Sequence, residues 1–176
     1  MGLRENNKNR GVIPLRRTVE AELLTAGRFE PFGDVLEKGT WKPEQDYPIY
    51  QYWDKIAKLE FSGDPMELAY LRVYRRAFVV EQMERHMKAS QTFIPLTNQT
   101  CIFALAPPNQ GDRPDPVSIR AFILDGTRGV NLHTGTWHWS IFPVAESADY
   151  IMVVRRDTIV DDLHIAELDI PVQIQL

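Results

Sequence analysis

The chain has 176 residues, and its 44% hydrophobic and 25% charged content is that of an ordinary folded domain with one substantial core. Its net charge of −4, with basic residues scattered apart from Arg16-Arg17, Arg75-Arg76 and Arg155-Arg156, argues against a nucleic-acid binder, which needs surplus Lys and Arg. No apolar run approaches the ~20 residues of a membrane span, the N-terminus lacks a secretory apolar core, and the single Cys101 cannot form an internal disulfide, so a cytoplasmic protein is expected.

Residues 1–11 read as a polar tail and 12–176 as one domain. Val12 to Leu15 is expected as a short edge strand, because Pro14 cannot donate to a central ladder. Thr18 occupies an N-cap position for a short helix carrying Val19, Leu23 and Leu24, with Glu20 and Glu22 in its first turn and Gly27 at its end. A turn near Phe29 to Phe32 leads into a strand ending at Leu36, and Lys38 to Asp46 is loop. The aromatics Tyr47, Tyr50, Tyr52, Trp53 and Phe61 suggest core or a dimer interface.

Met66 to Phe78 and Val79 to His86 read as strands, although Met66 to Arg76 also fits a helix. Gln91 to Ala106 is the strongest strand pair, with Asn98-Gln99 as its hairpin turn and Cys101 as a buried, inert thiol. Residues 107–116 form a surface loop, Val117 to Leu124 a strand, and Asp125-Gly126 a turn. Trp137 to Phe142 and Tyr150 to Arg155 follow as strands, and Leu163 to Leu176 as an edge strand containing Pro171. Many short strands divided by Gly, Pro, Asp and Asn turns specify an all-β barrel or sandwich with one or two short helices.

The chemistry concentrates in Val79 to Pro95. Side chains alternate along a strand, so Gln82, Glu84 and His86 share one face while Glu81, Met83 and Arg85 share the other. A carboxylate and an imidazole two residues apart can grip a metal ion or exchange a proton, and Gln91 offers an amide to the same cluster. The glycine-punctuated stretch Gly129 to His138 supplies two more imidazoles, His133 and His138. Trp137 reads as core, and His164, in an acidic tail, as solvated.

The strand order and the placing of Glu84, His86 and Gln91, with Gly135-Thr136-Trp137-His138 downstream, resemble the two motifs of the cupins, small double-stranded β-helix (jelly-roll) barrels. More specifically the chain resembles the ureidoglycolate lyases, on Phe32-Gly33-Asp34-Val35, Glu84-Arg85-His86, Gln91, Phe93-Ile94-Pro95, Arg120-Ala121-Phe122, Gly126, Gly129-Val130-Asn131, His133, Trp137 and His138. It departs at Gln51, where the family has Arg, at Trp139, where a second histidine is usual, and at Arg155-Arg156, where an acidic residue precedes Arg.

The resemblance implies a homodimeric carbon–nitrogen lyase that splits ureidoglycolate into glyoxylate and urea in allantoin degradation, often with a divalent metal. Glu84, His86, Gln91 and His138 then form the metal set, mixed N and O donors suited to Ni, Mn or Zn. Because an amide is a weak ligand, the ion is loosely held, and the same groups can act with none bound. Glu84 or His133 would then be the general base on the substrate hydroxyl, and His138 the acid on the urea nitrogen. Arg120 is the expected clamp for the substrate carboxylate, and Asn131 a partner for the ureido group. A related small hydroxy acid as substrate, or a non-catalytic carboxylate-binding cupin, stays open at this point.

Overall fold

The computed structural model describes residues 17–176, so the expected tail and the strand at Val12 to Leu15 lie outside the described residues. In chain order the first strands are Arg17–Leu23 (β1), Gly33–Leu36 (β2), Gln45–Tyr47 (β3), Tyr50–Tyr52 (β4), Met66–Tyr74 (β5) and Val79–Arg85 (β6). Next come Gln91–Pro95 (β7), Cys101–Ala106 (β8), Arg120–Leu124 (β9), Gly129–Leu132 (β10) and Trp137–His138 (β11). Phe142–Pro143 (β12), Ser147–Arg155 (β13) and His164–Gln175 (β14) complete them. Two single-turn helices, Ala26–Phe29 (α1) and Thr158–Asp161 (α2), interrupt the strands.

One sheet runs β11-β6-β14-β1-β9-β8-β12, and β11 also pairs with β8, so six of these strands close into a small barrel. Within it β1 is parallel to both neighbours, β14 and β9, while the remaining ladders are antiparallel. A second sheet, β2-β10-β7-β13-β5, lies over one face of the first, and β3-β4 stands apart as a two-stranded ribbon.

Alternation along the shared strands builds two cores. Cys101, Phe103 and Leu105 of β8 and Phe122 of β9 face Phe93, Val130, Leu132 and Tyr150 of the second sheet. Ile102, Ala104 and Ala106 of β8 point the other way, into the closed barrel, with Met83, Ala121, Trp137, Ala166 and Ile174. Alanines at four of these positions leave room for the Trp137 indole inside a narrow barrel. A strand buried on both faces reads as an unbroken apolar run, which is why β8 is so plain in the sequence. Each fully buried Phe or Leu in these cores stabilises the fold by roughly 1.5–3 kcal/mol. The architecture is the all-β, cupin-like barrel that the sequence implied.

Several local expectations are corrected. Residues 17–23 form a strand rather than a helix, because Val19 and Ala21 turn into the barrel core while Thr18, Glu20 and Glu22 alternate with them. The helix comes later, with Thr25 as its N-cap accepting from Arg28 N at 3.3 Å. β7 and β8 are no hairpin: the chain between them crosses from one sheet to the other. Trp137 to Phe142 is broken into two short strands.

The final strand is central rather than an edge, lying between β6 and β1. Pro171 is accommodated because the ladder to β6 slips between Glu167 and Val172, an irregularity where no N–H is required. Tyr47, Tyr50 and Tyr52 are exposed on the ribbon and so are not core. His164 is half-buried, its ring edge-on to Trp137 at 5.2 Å, and not simply solvated.

Candidate active site

β6 and β11 carry the key side chains. Their antiparallel register sets His138 directly opposite Glu84, and His86 follows β6 by one residue on the Glu84 face. The ladder to β14 runs unbroken from Gln82 to Arg85, which keeps Gln82 and Glu84 on one face, and slips between Gln82 and Val80, so Val80 and Met83, three residues apart, both enter the barrel core. One ligand atom each from Glu84, His86 and His138 lies within 4.8 Å of the others. The imidazole centroids are 5.5 Å apart, and Phe93 and Phe103 flank His138 edge-on.

The tautomers of the two histidines are fixed by the backbone. Nδ1 of His138 lies 3.0 Å from the Thr136 carbonyl, and Nδ1 of His86 lies 2.8 Å from the Asp162 carbonyl. A carbonyl oxygen only accepts, so each Nδ1 carries the hydrogen and each Nε2 presents a lone pair. Both Nε2 atoms are buried without a hydrogen-bond partner among the described residues, and so is Oε1 of Gln91 at the start of β7. Nε2 of His138 faces Oε1 of Glu84 at 3.5 Å, which sets two electron-rich atoms together with no hydrogen between them. Buried polar atoms rarely lack a partner, and this set wants a cation: a divalent metal ion or a proton.

Electrostatics agree. Burial pushes the His86 imidazole below its ordinary pKa and the neighbouring His138 adds to this, so His86 is neutral at physiological pH, the form that binds metal. Burial would raise the Glu84 carboxyl, but a positive charge on the imidazole side, His138 donating a proton foremost and then His86, outweighs it and holds Glu84 below the usual carboxylate value. Glu84 is the most open of the three, its side chain about a quarter exposed, against 3% for His138. A ligand from solvent therefore meets Glu84 first.

His133 stands outside this triad. Its Nε2 is 3.7 Å from Asp34 Oδ1, and the ring is more than a third exposed. Its segment is nevertheless tied to the triad strand, because Gly135 N donates to the His86 carbonyl at 2.7 Å and Thr136 N to the His133 carbonyl at 3.1 Å. Gly135 takes φ +84°, which lets the chain turn between the two histidines.

Two expected substrate contacts have partners within the chain. Arg120 presents its fork to Glu22, with Nε and Nη2 each 2.6 Å from a carboxylate oxygen, and its Nη1 donates to the Arg28 carbonyl. Its guanidinium also stacks near Phe122, so Arg120 fastens β9 to β1. Asn131 is wholly buried; its amide donates to Asp34 and the Lys58 carbonyl and accepts from Thr92. Both its donors are used, and it braces β10 against β2 and β7.

The sequence departures lie off the triad. Gln51 is on the exposed ribbon, bonded to Asp46 at 3.0 Å. Trp139 packs with the barrel-side core, on the opposite face from His138. Arg155 is buried between Asp64 and Asp161, and Arg156 pairs with Glu67. Sequence reasoning missed Asp162 and Thr136, whose backbone carbonyls hold the imidazoles and carry no residue-type signal, and Thr158, whose hydroxyl reaches His86 from 72 residues away.

Comparison with known proteins is consistent throughout. The family model described as ureidoglycolate lyase matches residues 16–175. The ureidoglycolate lyase of Pseudomonas aeruginosa (strain LESB58) is 32% identical over 149 residues, spanning 79% of this chain and 84% of that protein. That of Pseudomonas syringae pv. tomato is 31% identical over 145 residues, with the same shares, and that of Pseudomonas fluorescens (strain SBW25) is 32% identical over 148 residues, spanning 81% and 87%. The chain belongs to the ureidoglycolate lyase family.

Proposed function

We propose that this protein cleaves the C–N bond of ureidoglycolate, giving glyoxylate and urea, at a site built on Glu84, His86 and His138. The observation that carries this is the pair of buried Nε2 lone pairs, each fixed by a carbonyl behind its ring and turned toward one carboxylate. That set fits a divalent cation, with Gln91 as a weak fourth donor whose oxygen is otherwise unsatisfied. When bound, such an ion acts as a Lewis acid on the substrate's hydroxyl and carboxylate oxygens.

The substrate carbon bears a hydroxyl, a carboxylate and a urea nitrogen. Its cleavage needs neither water nor an oxidant. The hydroxyl loses its proton, the oxygen electrons form the carbonyl of glyoxylate, the C–N electron pair leaves with nitrogen, and that nitrogen gains a proton to become urea.

The residues divide the work. His138 Nε2 cannot both ligate and carry a proton, and its fixed tautomer favours ligation. His133 is then the free imidazole for proton transfer, half-exposed with Asp34 3.7 Å away, able to take the hydroxyl proton and return it to nitrogen. Phe93 and Phe103 exclude water from the His138 side.

The test is product analysis with racemic ureidoglycolate before and after chelation and on restoring Mn, Ni or Zn. Equimolar glyoxylate and urea, lost on chelation and restored by metal, is expected. Ammonia in place of urea would make the protein a hydrolase, and no product would overturn the substrate.

A further inference from the structure

The loop and single-turn helix that follow β13 converge on His86 from outside the barrel. Asp162, at the end of α2, makes three contacts within three residues of β6's end. Its backbone carbonyl takes the His86 Nδ1 hydrogen at 2.8 Å, while Oδ1 accepts from Met87 N at 2.8 Å and Oδ2 from Lys88 N at 2.9 Å. Thr158, at the start of the same helix, places its hydroxyl 3.2 Å from His86 Nδ1. The helix is anchored in turn: Asp161 receives Lys88 Nζ at 2.7 Å and is paired with Arg155, which also reaches Asp64 at 3.0 Å. Asp162 is itself 8% exposed, so its two charge-assisted bonds to backbone N–H groups are sheltered from water.

From this geometry we infer that Asp162 is a positioning residue: it fixes the tautomer and direction of His86 and thereby the affinity of the Glu84–His86–His138 site for a divalent ion. The argument is one of constraint. An imidazole that can rotate or exchange tautomers offers its Nε2 lone pair only part of the time. The carbonyl of Asp162 removes the exchange, and its carboxylate holds the chain on which the carbonyl's target sits. The Gly135 N bond to the His86 carbonyl closes the other side, so His86 is held at its ring, at its own backbone and at the two residues after it. Such orienting partners are typically worth 10- to 100-fold in metal affinity. Asp161 does a different job, tying α2 to Lys88 and Arg155 with no contact to the imidazole.

This inference rests on the reading of Glu84, His86 and His138 as ligands, and its test separates the two. Long-range 1H–15N spectra of the metal-free wild type report the His86 tautomer, and competition with a zinc chelator reports affinity. Wild type should show the Nδ1–H form. Asp162→Ala, with a retained circular-dichroism spectrum, should show mixed tautomers and zinc affinity lower by roughly 10- to 100-fold. Asp162→Asn keeps one acceptor and should fall between them, and Asp161→Ala, which loosens α2 but leaves the bonds of Asp162 in place, should lose clearly less affinity than Asp162→Ala. An Nε2–H tautomer in the wild type, an unchanged affinity in Asp162→Ala, or an equal loss in Asp161→Ala would overturn the inference. Should Asp162→Ala fail to fold, the wild-type tautomer and Asp162→Asn still decide it. If the wild type takes up no zinc while His86 is Nδ1–H, the ligand reading fails and the tautomer assignment survives.

Discussion

At the scale of single residues, charge type alone does not assign a role; what the charge already touches does. Arg120 has the shape of a carboxylate clamp, yet its carboxylate is Glu22 from the same sheet, and Asn131 has spent both its donors on Asp34 and Lys58. His133 keeps a half-exposed ring, its Nε2 3.7 Å from Asp34 Oδ1. The three should therefore separate in kinetics. Arg120→Ala removes a partly exposed ion pair, so it should cost under about 1 kcal/mol of stability and leave KM within about twofold. Asn131→Ala strands Thr92 and Asp34 partners and should cost about 2 kcal/mol while the folded fraction keeps its kcat. His133→Gln should lower kcat by roughly 100-fold or more with little change in stability. Steady-state kinetics beside thermal melts measures all three, and a large KM effect in Arg120→Ala would restore it to the substrate site.

At the scale of elements, the sequence was legible wherever burial is one-sided or total, and misleading where a strand must be assigned a neighbour. β8 was plain because both its faces are core, and the pairing of Glu84 with His86 followed from alternation alone. The β7–β8 hairpin was wrong because period two says which face a residue takes but not which sheet the strand joins. The stretch from Thr18 to Gly27 reads as a helix because Thr18 with two nearby glutamates imitates a capped helix, while the decisive fact is the parallel pairing of β1 with two strands distant in sequence. The placing of β2 depends on a close approach: a Cβ built on Gly33 would lie 2.0 Å from the Asn131 carbonyl oxygen, which is backbone and cannot yield. Gly33→Ala should force β2 away from β10, cost about 3 kcal/mol and lower the melting temperature by about 6–12 °C. Because Asp34 rides on β2, kcat should fall as well; a variant with wild-type melting and turnover would show that the ladder has slack there.

At the scale of the whole molecule, the site sits where the two cores share a wall. β6 and β11 belong to the closed barrel, Gln91 opens a strand of the covering sheet, and Asp162 belongs to the return toward the last barrel strand. Apart from Gln91 these neighbours are distant from Glu84 and His86 in sequence, so the cluster was legible as residue types but its supports were not. The same placement gives a thermodynamic expectation. An ion held by side chains from separate strands binds the native state and not the unfolded chain, which disperses Glu84 and His86 from His138. Native-state binding adds RT ln(1 + [L]/Kd), about 2.7 kcal/mol at a free metal concentration one hundred times Kd. For a chain of this length that should raise the melting temperature by roughly 5–11 °C. Differential scanning calorimetry of the metal-free protein titrated with Zn or Mn measures it directly. The rise should vanish in His86→Ala, which removes a ligand, and persist in Arg120→Ala, which does not. A melting temperature indifferent to metal in the wild type would leave Glu84 and His138 as an acid–base pair, with the proton as the cation between them.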